Sequence, residues 1–179
     1  LAAAGQLGIV AAGPAAAVQR AEPLFKLLGR RLFHAGDAPE AATAIKLANN
    51  LVLGCAMDAM AEAFSLARKY DVAPQLLYDL MVDGLFSAPA YVGYGKTMVE
   101  GAYDRVGSPI QVGLKDALLI QAAADLARVP LPSLNVYRDR LIGAAAQPDR
   151  WAAQQVKALS ICKFGAKRSR EFSTFCDRR

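Results

Sequence analysis

AATAIKLANNLVLGCAMDAMAEAFSLA, residues Ala41 to Ala67, decides how the chain is read. Its polar and gap positions are Thr43, Lys46, Asn50, Gly54, Asp58, Glu62 and Ser65, with Asn49 beside Asn50. Successive steps between these seven are three, four, four, four, four and three residues, which is one line down a single helix face. The other positions are Ala, Leu, Ile, Val, Met, Cys and Phe. A helix that is apolar on most sides is expected to be buried. One that keeps a thin wet stripe, with a Lys and an Asn one turn apart, is expected to face a site.

Upstream of this stretch the chain alternates. Gln6 to Ala12 is a short apolar run that stops at the breaker Gly13-Pro14. Val18, Ala21, Phe25 and Leu28 follow at helical spacing, and Gly29 is expected as the left-handed residue closing that helix. Arg31 to His34 is a strand candidate ending before Gly36. Strand, helix and strand within this length make one βαβ crossover. It is too small for a nucleotide-binding domain and resembles the last unit of one.

Downstream of Gly36 every segment reads as helix. Asp37 is the expected N-cap of the long helix, with Pro39 and Glu40 in its first turn and an end near Tyr70. Asp71-Val72-Ala73-Pro74 is a turn, and Gln75 to Val82 a short amphipathic helix stopped by Gly84. A segment from Ser87 to Val99, a loop from Gly101 to Gly107, and a helix from Ser108-Pro109 to Arg128 come next. Pro130 and Pro132 break the pattern before a helix from Leu134 to Ala146, and Trp151 to Leu159 can form one more.

At 179 residues the chain is long enough to bury about 70% of its unfolded surface. Hydrophobic residues make up 54% and charged residues 21%, the composition of a compact protein rather than a disordered one. The net charge of +5 is local. Lys157 to Arg179 holds seven basic and two acidic residues, which leaves fourteen of each sign over the first 156 positions. The body therefore lacks the basic surface that nucleic-acid binders need, and the tail reads as a solvated end. Cys55, Cys162 and Cys176 form no CxxC pair, which points to a reducing, cytoplasmic setting. With His34 as its single histidine, the chain is not expected to hold a His-based metal site or a Ser-His-Asp triad. The uncharged first 19 residues are Ala- and Gly-rich without a basic lead, so neither a signal peptide nor a membrane partner is expected.

Lys46 is the first candidate for chemistry. On a buried helix its charged form is disfavoured, its pKa tends to fall, and it can move a proton near neutral pH. The plainer alternative is a Lys that snorkels to solvent near the helix start. Asn50, one turn on, can both donate to and accept from a bound hydroxyl or carboxylate, or else bond a neighbouring loop.

Lys46-Leu47-Ala48-Asn49-Asn50, ten residues after Gly36, resembles the KLxNN signature of the β-hydroxyacid dehydrogenases. Leu114-Lys115-Asp116 resembles that family's KD motif, and Gly143 the Gly of its last helix. Gln6-Leu7 through Ala12-Gly13 looks like the strand before the last Rossmann helix, and Ala61-Glu62-Ala63 through Leu66-Ala67 like the end of the long helix. The similarity covers roughly residues 4 to 152. The chain departs from the family at Glu40 and Ala42, where glycines are common, and after Trp151.

The resemblance implies a mainly α fold: an all-helical C-terminal domain around one long central helix, preceded by a βαβ remnant of a Rossmann domain. It divides the chain at 1–36 (Rossmann remnant), 37–156 (helical domain) and 157–179 (basic tail). The implied activity is transfer of a hydride between NAD or NADP and a small 3-hydroxy acid. Lys46 would be the acid/base, Asn50 the substrate contact, and Lys115 the approach to the cofactor. No metal is implied. A homo-oligomer, dimer or tetramer, would be the assembly. Neither GxGxxG nor GxxxxGK[ST] occurs in the sequence, so this chain alone is expected to bind dinucleotide poorly and to turn over little. The alternative is a non-catalytic helical scaffold that dimerises through the long helix.

Overall fold

The computed structural model describes residues 2–103 and 108–146. The expected helix from Trp151 to Leu159, the boundary at 156 and the basic tail 157–179 lie outside the described residues.

After a 3-10 turn at Ala2–Ala4, β1 (Leu7–Ala11) leads through α1 (Ala15–Leu28) into β2 (Gly29–His34). The two strands pair in parallel, with Leu7 opposite Gly29 and Ala11 opposite His34, so the βαβ crossover is present. Five helices follow: α2 (Glu40–Lys69), α3 (Pro74–Asp83), α4 (Pro89–Glu100), α5 (Ile110–Ala127) and α6 (Pro132–Ala145). Proline sets most of the starts. Pro74, Pro89 and Pro132 open their helices, and Pro14 and Pro109 directly precede α1 and α5. A proline costs nothing there because the first-turn N–H has no helical acceptor anyway.

Two expected caps differ. Gly29 is not left-handed; its φ of −139° is extended backbone and it opens β2. What requires glycine there is closeness, because a Cβ would stand 2.5 Å from the Leu7 carbonyl oxygen on β1. Asp37 does not cap α2, which begins at Glu40 behind Pro39 with no side-chain cap.

Helix α2 is the centre, packed against α3, α4, α5, α6 and β1. Phe64, Met98, Ile110, Leu134 and Leu141 are the largest fully buried side chains, one or more from each of α2, α4, α5 and α6. The expectation that α2 is buried on most sides needs correction. Its buried residues are Gly54, Met57, Asp58, Met60, Ala61 and Phe64, none of them before its midpoint at Gly54, while Ile45, Val52 and Leu66 stay exposed. Length is the reason. Thirty residues span about 45 Å, whereas α4, α5 and α6, with 12, 18 and 14 residues, span about 18–27 Å and cover only part of the rod. By length and a mean hydropathy of 1.2 over its best window α2 could also cross a membrane. Its place among four other helices, with Asp58 buried and bonded to Arg140, is that of a core helix.

Candidate active site

The polar stripe of α2 meets α5 and α6. Helix α5 turns Ile110, Gly113, Ala117, Ile120 and Ala124 inward at steps of three and four, and two of these inward residues are alanine and one is glycine. Small residues bring the α5 backbone near α2, and Asp116, beside that inward row, reaches across. Its Oδ2 accepts a hydrogen bond from Asn50 Nδ2 at 3.0 Å, linking residues 66 apart in sequence. Its Oδ1 lies 3.0 Å from Lys115 Nζ. One carboxylate thus ties the KLxNN run to the KD motif. Asp116 is one-fifth exposed, while the Lys115 side chain is 61% exposed and holds its ammonium on the solvent side.

Lower on the stripe, α6 takes over. The Tyr137 ring lies over Gly54 so closely that a Cβ would meet it at 2.7 Å. One turn further, Arg140 Nη1 donates to Asp58 Oδ1 at 2.8 Å, and Nη2 donates to Glu62. Ser65 Oγ donates to the Ala61 carbonyl within α2. Gly54, Asp58 and Glu62 therefore serve packing and hydrogen bonding between helices, and Ser65 bonds within its own.

Between these contacts lies a cavity of about 90 Å³. Its polar wall comprises Asn50, Asp116, Tyr94, Ser108 and Tyr137, and its apolar wall includes Leu53, Met57 and Ile120. Burial pushes the Tyr137 hydroxyl up, with Asp116 the largest of several neighbouring groups that add to the shift, so it stays protonated and can donate. Burial also raises the Cys55 thiol, with Asp58 adding to it, which makes that thiol a poor nucleophile.

Of the three residues singled out from sequence, Asn50 and Lys115 converge on Asp116. Lys46 stands one turn before Asn50 on the same face but is exposed, and it does not line the cavity. The expectation that burial within α2 acts on Lys46 is corrected: the covered half of the helix starts at Gly54. Asp116, Tyr94, Tyr137 and Ser108 were missed as site residues. Only Asp116 had a signal, its place in the KD motif. The other three depend on how α4, the segment before α5, and α6 pack.

On α5, Lys115 also borders a shallow groove of about 380 Å³ with Gln111, Leu114, Leu118 and Leu119. A bound dinucleotide would need more than one exposed ammonium beside leucines. The Gly-rich loop that would cradle its phosphates is not in this sequence.

Known proteins resemble the chain over most of its length. Residues 41–160 match the family described as the NAD-binding domain of NADP-dependent 3-hydroxyisobutyrate dehydrogenase. The chain is 34% identical over 131 residues to an uncharacterized oxidoreductase, YfjR, of Bacillus subtilis, covering 73% of this chain and 46% of that protein. It is 33% identical over 128 residues to glyoxylate/succinic semialdehyde reductase 1 of Arabidopsis thaliana, covering 72% and 44%. The chain thus spans about half the length of the curated relatives it matches. Its fold is shared with the crystal structure of 3-hydroxyisobutyrate dehydrogenase from Salmonella typhimurium at a TM-score of 0.80 and 23% identity, over 89% of this chain and 55% of that one. With its KLxNN and KD motifs joined through one carboxylate and a family match over two thirds of its length, the chain belongs to the NAD(P)-binding β-hydroxyacid dehydrogenases of the 3-hydroxyisobutyrate dehydrogenase type.

Proposed function

We propose that the chain supplies the acid/base and substrate-holding part of a dehydrogenase for a small 3-hydroxy acid, in which Lys46 moves the hydroxyl proton. The observation that carries this reading is the Asn50–Asp116–Lys115 chain of contacts, which gathers two separate motifs at one place. Bound NAD or NADP supplies the hydride acceptor or donor. The chain's own residues do the rest. Lys46 Nζ takes the proton as the alcohol is oxidised and returns it in the reverse direction. Asn50 holds the substrate with the part of its amide not engaged by Asp116. Lys115 presents positive charge on the outer side, toward the cofactor. Asp116 fixes both. Residues 1–36 are read as the end of a Rossmann domain, 37–156 as the helical domain, and 157–179 as its basic tail. We place the protein in the cytoplasm, on the strength of the free Cys55 thiol and a sequence without a CxxC pair.

In the protein joined to a dinucleotide-binding domain, Lys46→Ala is expected to lower turnover at least ~100-fold while cofactor affinity stays near that of the parent. Retained turnover, followed by nicotinamide absorbance, would remove Lys46 from the chemistry.

A second reading has its own support. Ile45, Val52 and Leu66 are exposed on α2, seven and fourteen residues apart, with Ala59 between the last two. Such spacing lines an apolar strip along one face, the geometry by which two copies of a helix pair. A helical scaffold that dimerises through α2 would use this strip and would have no need of Lys46.

A further inference from the structure

We infer that Asp116 makes the cavity beside Asn50 a pocket for a neutral, hydrogen-bond-donating substituent of the substrate, a hydroxyl on the carbon next to the reacting carbinol, and closes it to a second carboxylate. This rests on the reading of Asn50 as a substrate contact and narrows the substrate class.

The first support is the orientation of the Asn50 amide. Asp116, paired with Lys115 as a carboxylate, can only accept, so the nitrogen of Asn50 must be the end that faces it. The Asn50 carbonyl oxygen then points away from Asp116. Together with the free lone pairs of Asp116 it makes this end of the cavity a wall of acceptors, which calls for a donor.

The second support is charge. Among the described lining residues Asp116 is the acidic side chain, and no Lys, Arg or His joins it. Lys115 balances Asp116 from the solvent side, with its side chain 61% exposed, and does not line the cavity. Two carboxylates sharing a small, partly buried site disfavour each other's charge, so one of them must take a proton or leave. A hydroxyl meets no such opposition. It can donate to Asp116 or to the Asn50 carbonyl and accept from Tyr94 or Ser108. Size agrees: about 90 Å³ admits a small substituent and leaves the substrate's own carboxylate at the mouth, on the Lys115 side.

The test compares glycerate with (hydroxymethyl)malonate, both 3-hydroxy acids, which differ in carrying a hydroxyl or a second carboxylate on C2. Each is titrated into the chain with backbone amide NMR signals as the readout. Glycerate is expected to move the signals of Asn50, Gly54, Gly113 and Asp116, with (hydroxymethyl)malonate at least tenfold weaker at the same residues. Asp116→Asn, which keeps the shape and can still accept from Asn50, is expected to shrink that ratio to near one. Lys115→Met leaves Asp116 charged and is expected to widen it, and it serves as the second variant if Asp116→Asn does not fold. Equal or tighter binding of (hydroxymethyl)malonate, a ratio unmoved by both variants, or no movement at these residues with either probe overturns the inference. Turnover plays no part in this readout. If Lys46→Ala keeps its activity while glycerate is still preferred, the proton role of Lys46 falls and the pocket's selectivity stands.

Discussion

Asp58 is the buried charged residue of the described core, and it is buried with its partner. Burial holds its carboxyl above the ordinary range, Arg140 opposes that, and Glu62 adds to it. A folded pKa raised above the unfolded value of about 3.9 means that the folded state binds the proton more tightly. Stability therefore rises as pH falls through the interval between the two values and is lost as pH climbs through the raised one. Arg140→Ala removes the opposing charge and widens that interval upward. We expect it to cost about 3 kcal/mol at neutral pH and distinctly less at mildly acid pH, measured by urea unfolding at both. An equal loss at the two pH values would mean that Arg140 acts by packing alone.

Gly54 makes a second residue-scale case. It is a gap in the stripe rather than a conformational necessity, because what a side chain would meet is the Tyr137 ring at 2.7 Å. Gly54→Ala gains helix propensity but must displace a buried aromatic ring of α6. The expected net loss is about 1–2 kcal/mol in thermal or urea unfolding. Unchanged stability would show that the ring moves freely. From sequence, Gly54 could be placed on the stripe, since spacing alone does that. Its partner could not be read, since Tyr137 lies 83 positions away on a helix whose rotation is set by packing.

At the scale of elements, the proline-led starts and most ends were legible because those residues act through their own backbone geometry. The failures came where an end is held by something distant. Gly29 looked like a left-handed cap and is instead the point where β2 touches β1. Conversely, α5 ends on a residue that gives no such signal: Arg128 is left-handed, with φ of 56°, and its N–H bonds back to Ala124 and Asp125. An L side chain there costs about 1 kcal/mol that glycine does not. Arg128→Gly is expected to stabilise the chain by about that amount, read as a higher urea midpoint with unchanged slope. A lower midpoint would mean that the Arg128 side chain contributes more than its backbone costs.

For the whole molecule, exposed apolar side chains dominate the surface question. Leu85 is 93% exposed and Leu126 88%, and Ile45, Val52 and Leu66 line one side of the longest helix. A monomer that shows this much apolar surface is expected to associate. Sedimentation should give a mass above that of one chain, and Val52→Glu should shift it toward the monomer. An unshifted mass would move the contact off α2. The chain spans about half of the curated relatives it matches, and it shares the fold of the Salmonella typhimurium 3-hydroxyisobutyrate dehydrogenase structure over 55% of that chain.

By itself the sequence determined the order and type of the elements, a βαβ unit followed by helices, because alternation, helical spacing and proline act over a few residues. It also determined the stripe on α2 and the motifs that hold Lys46, Asn50 and Lys115. Only the tertiary structure decided what the stripe faces. It brought Asp116 to Asn50, set Tyr137 on Gly54, enclosed the cavity between them and left Lys46 in the open. Those outcomes depend on how far a 30-residue helix outruns the shorter helices packed along it, a matter of lengths and crossing positions that no local pattern encodes.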